Sequence, residues 1–168
     1  MKHDNDYTIG LKNIWEVVCY GSDGQEKWRE LNDNLVVTVG LNALLTEFFK
    51  GSSYTATWCI GLKSTGTALA ADTMSSHSSW TEITDYTQSA RPTIVLGTPS
   101  GGSVDNTASK ADFSINGTTT IYGAFLVNAS AKGGTGGTLY GVVDFGSSRA
   151  VISGDTLTVT VTLTAASA

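Results

Sequence analysis

The segment Asp155-Thr156-Leu157-Thr158-Val159-Thr160-Val161-Thr162-Leu163-Thr164 carries the cleanest periodicity in the chain. Leu157, Val159, Val161 and Leu163 fall on one face and threonine alone occupies the other, the two-residue period of a strand with one dry side and one wet side. Gly154-Asp155 supplies a turn in front of it. Arg149 to Ile152 forms a short strand before that turn, and the two read as a hairpin. Upstream, Thr119 to Val127 and Thr138 to Phe145 are rich in aromatic and β-branched residues and read as strands. The glycine-rich stretch Ala131 to Gly137 is the loop between them.

The first half repeats the pattern. Leu11 to Tyr20 is a strand of mixed alternation, Ser22-Asp23-Gly24 a turn and Gln25 to Leu31 the return strand. Asn32-Asp33-Asn34 turns the chain again before Leu35 to Val39. One helix interrupts the strands. Leu41, Leu44, Leu45 and Phe48 stand at i, i+3, i+4 and i+7, with Lys50 in the last turn and Gly51 as the stop. This predicts a short helix over about residues 40–50 that covers one end of the sheets. Thr57 to Leu62, Trp80 to Ile83, Thr93 to Leu96 and Ala111 to Ile115 bring the total to about ten short strands, at the spacing typical of all-β chains. The fold expected is all-β, an antiparallel β-sandwich or jelly-roll-like domain over residues 8–168, preceded by a flexible tail over residues 1–7.

Composition narrows the function classes. Among 168 residues, 19 Gly, 24 Thr and 18 Ser make up more than a third of the chain, whereas only 15% of residues are charged. Coiled coils and disordered chains have the opposite balance. The net charge is −5 and no basic cluster occurs, so nucleic acid has no electrostatic footprint to meet. Leu35 to Phe49, the most apolar stretch, is broken by Thr38, Asn42, Thr46 and Glu47 and is shorter than the ~20 residues of a spanning helix, which argues against a membrane partner. Met1-Lys2-His3-Asp4-Asn5-Asp6 does not form an apolar signal core, so export by the usual route is not expected. Asn116-Gly117-Thr118 and Asn128-Ala129-Ser130 match the glycosylation pattern but in that context read as turn residues.

Catalytic equipment is sparse. His3 lies in the tail, leaving His77 as the remaining histidine base, among Ser75, Ser76, Ser78 and Ser79. Serines beside a histidine in one loop lack the geometry of a triad, and no Gly-x-Ser-x-Gly elbow is present. Two histidines and two isolated cysteines give no zinc-ligand spacing, and no calcium ladder occurs. Cys19 and Cys59 each sit in an apolar, strand-like run and read as small buried hydrophobes, with a disulfide as the alternative. Glu82, Asp85, Asp112 and Asp144 are the acids from which a glycosidase pair could be drawn, although fifteen acids on any surface provide pairs by chance. Trp58, Trp80 and Tyr86 could form a sugar-binding platform, or serve as core or interface aromatics. The expectation is a noncatalytic protein without cofactor or metal. Its candidate contact residues are Trp58, His77, Trp80 and Tyr86, and its candidate contact surfaces are the long loops Lys63 to Ser79 and Gly97 to Lys110.

Three segments together carry a resemblance. They are Asn34-Leu35-Val36-Val37 leading into the Gly40 to Phe49 helix, Trp58-Cys59-Ile60-Gly61-Leu62-Lys63-Ser64-Thr65-Gly66-Thr67, and Ala71-Asp72-Thr73-Met74 running to Trp80-Thr81-Glu82; Asp85-Tyr86 to Arg91-Pro92 continues them. The region, roughly Asn34 to Thr93, resembles a family of small structural proteins of tailed bacteriophages. The resemblance implies a virion component on the outer surface of the phage head, made in the host cytoplasm. It further implies a capsid decoration or cement protein that binds the major capsid protein as a homo-oligomer, with a trimer favoured. The alternative is a tail fibre or a receptor- or carbohydrate-binding module of the tail.

Overall fold

Alternating apolar residues need a second apolar face to cover them, and two antiparallel sheets provide it. The computed structural model describes residues 9–50 and 57–167. These hold strands β1 (Ile9–Tyr20), β2 (Glu26–Asp33) and β3 (Leu35–Val36), helix α1 (Thr38–Lys50), and strands β4 (Trp58–Lys63), β5 (Glu82–Ile83) and β6 (Thr93–Ile94). Strands β7 (Ser103–Asp105), β8 (Ala111–Ser114), β9 (Thr119–Val127), β10 (Leu139–Val151) and β11 (Thr156–Ser167) follow. The tail reading of residues 1–7 lies outside the described residues.

The first sheet runs β2-β1-β11, and β7 and β8 share the far side of β11, paired with Thr162 to Thr164 and with Thr156 to Val159. The second runs β3-β10-β9-β4, and β5 and β6 share the far side of β4. Every pairing is antiparallel. The expected all-β sandwich with one short helix is what the chain forms. The Thr/Val alternation of β11 sits beside β1 along its whole length, from Ile9 opposite Ser167 to Tyr20 opposite Thr156.

The registers align two inward rows. Trp15, Val17 and Cys19 of β1 lie opposite Val161, Val159 and Leu157 of β11. All six are buried against Ile60, Leu62, Ile121, Ala124, Leu126 and Val143 of the second sheet. Each aliphatic side chain so buried contributes roughly 1.5–3 kcal/mol. A smaller apolar layer lies on the outer side of the second sheet, where Cys59, Phe125, Val127, Leu139 and Val142 are covered by Val37, Met74 and Trp80. Strand β4 is therefore buried on both faces, which explains its unbroken apolar run. Gly61 makes this possible: a Cβ there would stand 2.2 Å from the Phe125 ring. Cys19 and Cys59 occupy the two different layers, and both are free, buried thiols, as the hydrophobe reading held.

Four local expectations change. Strand β3 stops at Val36, because the Val37 N–H donates to the Tyr140 carbonyl and the Thr38 N–H to the Ala70 carbonyl, so the helix starts at Thr38. Residues 138–145 and 149–152 are not two strands but mostly one, β10, whose register against β9 breaks between Asp144 and Arg149. The segment Gly97 to Lys110 is partly built into the first sheet through β7. Helix α1 does not bury its apolar stripe on the sheets. Its first turn is pinned against β10, where a Cβ on Gly40 would come within 2.3 Å of the Tyr140 carbonyl oxygen, and the rest stands clear. No described helix is long and apolar enough to cross a membrane.

Candidate functional site at the open end of the sandwich

The stripe that marks α1 as a helix is a contiguous apolar feature on the surface of the described residues. Leu41, Leu44, Leu45, Phe48 and Phe49 are between 37% and 78% exposed. Phe48 and Phe49 meet edge to face, 4.9 Å between ring centroids. Together with Leu11 and Ala165, these five residues line a groove of about 440 Å³. Leu11, Leu44 and Ala165 also line a neighbouring cavity of about 380 Å³ that reaches in between the sheets to Asn13, Trp58, Leu126, Tyr140 and Leu163. The two spaces thus meet at the end of the sandwich where α1 leaves it.

The inner wall of that cavity is built by strand periodicity. Leu11 and Asn13 belong to the same inward-facing series of β1 as Trp15, Val17 and Cys19. Asn13 is 1% exposed; its Nδ2 is drawn to the Tyr140 phenol, and its Oδ1 meets no donor among the described residues. Trp58 and Tyr140 meet edge to face at 5.8 Å. Burial pushes the Tyr140 phenol above its ordinary pKa, and the nearby Asn13 amide pulls against that shift.

The four residues expected to make contacts are not brought together. His77 and Trp80 lie in the segment over the outer face of the second sheet, stacked at 4.0 Å, with His77 Nδ1 2.9 Å from the Trp80 carbonyl oxygen. Trp80 is 2% exposed, and its Nε1–H donates to Asp72 Oδ2 at 2.9 Å. Tyr86 is wholly buried, edge-on to Phe113 at 5.0 Å, and burial raises its phenol pKa. Neither Trp80 nor Tyr86 can serve as an exposed platform, because each fills a core layer. Trp58, half-buried, is the one of the four at the cavity. The loop Lys63 to Ser79 is likewise less a free contact surface than a cap, with Asp72 and Met74 buried beneath it.

The acids are engaged elsewhere. Glu82 takes two hydrogen bonds from Arg91, Nε to Oε1 at 2.9 Å and Nη2 to Oε2 at 2.8 Å, and a third from the Gly133 N–H. Arg91 also donates to the carbonyls of Ala129 and Gly134, so one buried pair fastens three stretches of chain. Asp144 pairs with the fully buried Lys63 at 2.7 Å and accepts from the Ala68 N–H. Asp85 and Asp112 are exposed. Among the described residues no group of three or more His, Cys, Asp or Glu could hold a metal ion.

Asp155, in the turn before β11, has a pH signature. Burial alone would raise its pKa, but hydrogen bonds from Lys27 at 2.5 Å and from the Ile152 N–H, with the Lys27 charge, outweigh it and hold the carboxyl below the ordinary range. A folded-state pKa below the unfolded value means that stability is fully present above the unfolded carboxyl pKa, about 3.9, and is lost as pH falls through the folded one. Urea unfolding of the protein and of Asp155→Asn from pH 2 to 7 is expected to show a stability gap that is constant above about pH 5 and closes in acid. A gap independent of pH would assign the effect to packing.

Asn13 and the exposed helix stripe are the two features the sequence did not single out as functional. The first was legible in principle from parity, as a polar residue in the inward row of β1. Comparison with protein-family models, curated proteins and solved structures finds no match to this chain. None of the three links it to the tailed-phage family expected from residues 34–93.

Proposed function

We propose that the chain is a noncatalytic structural protein of a tailed-phage virion, a capsid decoration protein that seats on the major capsid protein as a small homo-oligomer. The observation that carries this reading is the exposed apolar stripe of α1, since monomeric domains rarely leave such a contiguous patch uncovered. Covering the 37–78% of each of its five side chains that is still exposed contributes the matching fraction of the roughly 1.5–3 kcal/mol for full burial, before the cost of association is met. Asn42 and Thr46 on the same helix supply uncharged polar neighbours of the kind found at an interface rim. The resemblance of residues 34–93 to small phage proteins supplies the virion context. The burial of Trp80 and Tyr86 leaves the carbohydrate-binding alternative with Trp58, half-buried at the cavity, as what remains of its three-residue platform.

Immunogold labelling of virions that carry this chain is expected to decorate the head. Label confined to the tail would favour the tail-fibre alternative, and unlabelled particles would overturn the virion reading. Phe48→Asp, at a residue 78% exposed, is expected to leave the unfolding free energy within about 0.5 kcal/mol of the parent while abolishing self-association in light scattering and binding to heads that lack the protein. Unchanged association would rule out α1 as the docking element.

A further inference from the structure

Inside the sandwich, Asn13 interrupts an inward row that otherwise reads Leu11, Trp15, Val17 and Cys19. A leucine there would complete the core. An amide in its place, buried with the Tyr140 phenol beside its Nδ2 and no donor for its Oδ1 among the described residues, carries a desolvation penalty worth about tenfold or more in an equilibrium constant. Such a group marks a place where something else completes the hydrogen bonds. It stands in the wall of the 380 Å³ cavity, a volume within the range of small-molecule sites, about 300–1,000 Å³.

The walls restrict the occupant. Leu11, Leu44, Trp58, Leu126, Tyr140 and Leu163 offer apolar and aromatic surface, and among the described residues none that lines the cavity is charged. A carboxylate or an ammonium would enter without a counter-charge and pay its desolvation in full. The Asn13 amide presents a donor and an acceptor side by side. We infer that the cavity binds a neutral, mainly apolar molecule ending in a primary carboxamide, whose N–H and C=O pair with the Oδ1 and Nδ2 of Asn13 while its chain runs past Leu11 and Leu44 into the groove beside α1.

Octanamide is the probe, with N,N-dimethyloctanamide and octanoate as comparisons. Titration calorimetry is expected to give saturable binding of octanamide, about tenfold weaker binding of the dimethyl compound, which lacks the donor, and no binding of octanoate over the same range. In ¹⁵N-labelled protein the side-chain amide signals of Asn13 should shift with octanamide, and the bound chain should show proximity to Leu126 and Leu163. Asn13→Leu is expected to bring the two amides within about twofold of each other. Leu44→Trp, at an exposed helix position, is expected to narrow the entrance and weaken octanamide about tenfold, a check that does not depend on a core substitution. Equal affinity for all three compounds, a preference that survives Asn13→Leu, or no saturation by octanamide would each overturn the site.

Discussion

Glu82→Leu is expected to lower stability by about 3–5 kcal/mol, the range for removing one partner of a buried ion pair, and the thermal midpoint by about 6–20 °C for a domain of this size. The Arg91 side chain is wholly buried and that of Glu82 nearly so, 0% and 7% exposed, so neither charge has water to fall back on. Losing the carboxylate leaves a guanidinium held by the carbonyls of Ala129 and Gly134 and by the Phe125 ring 5.3 Å away, and strands the Gly133 N–H as well. The damage comes from the orphaned charge more than from the lost attraction. The double variant Glu82→Leu/Arg91→Met is therefore expected to be clearly less destabilised than the sum of the singles, by 1 kcal/mol or more on the scale of about 0.5–3 kcal/mol for coupled neighbours. Scanning calorimetry on the four proteins closes the cycle. Additive losses, or a single-variant loss below about 1 kcal/mol, would mean that solvent reaches the pair.

Trp80→Ala is expected to cost about 3–5 kcal/mol, as for other large aromatics cut from a core. The indole packs on Phe125 at 5.2 Å, stacks with His77 and holds the buried Asp72 carboxylate, which the variant leaves with fewer donors. Trp80→Phe keeps one aromatic ring while giving up the rest of the indole and the Nε1 hydrogen bond, so it should recover part of the loss. Because Trp80 belongs to the outer layer, hydrogen exchange should accelerate first over residues 64–81. Unchanged exchange there, together with unchanged stability, would refute the cap.

How far the sequence carried these conclusions differs by region. The period of two in residues 155–164 placed β11 and its inward row, because a strand with one wet face writes its register in plain alternation. Periodicity also found α1, but a stripe reports which residues share a face and is silent on whether the chain itself covers that face, so Leu44, Leu45 and Phe48 were expected inside and lie outside. The segment 63–79 read as a free loop on its Ser, Thr and Gly content, although Met74 and Trp80 in the same neighbourhood were apolar signals of a cap. Arg91 and Glu82 left no periodic trace, since their pairing depends on two short strands at opposite ends of β4. Asn13 shares the parity of Trp15, Val17 and Cys19, but the mixed alternation of β1 obscured which parity faces inward, and its place opposite Leu163 settles it.

The pairing of β1 with β11 also governs the order in which the protein can be built. The strand that β1 needs is the last of the fold, residues 156–167, and β7 and β8 need the same strand. Contacts so distant in sequence close slowly, because the loop entropy must be met before they are gained. The second sheet draws only on residues 35–151 and can pair while β11 is still inside the ribosome. Its inner face, with Ile60, Leu62 and Leu126, then waits uncovered until residues 156–167 emerge, so the interval before they do is when this chain is most exposed to misassociation and most in need of a chaperone.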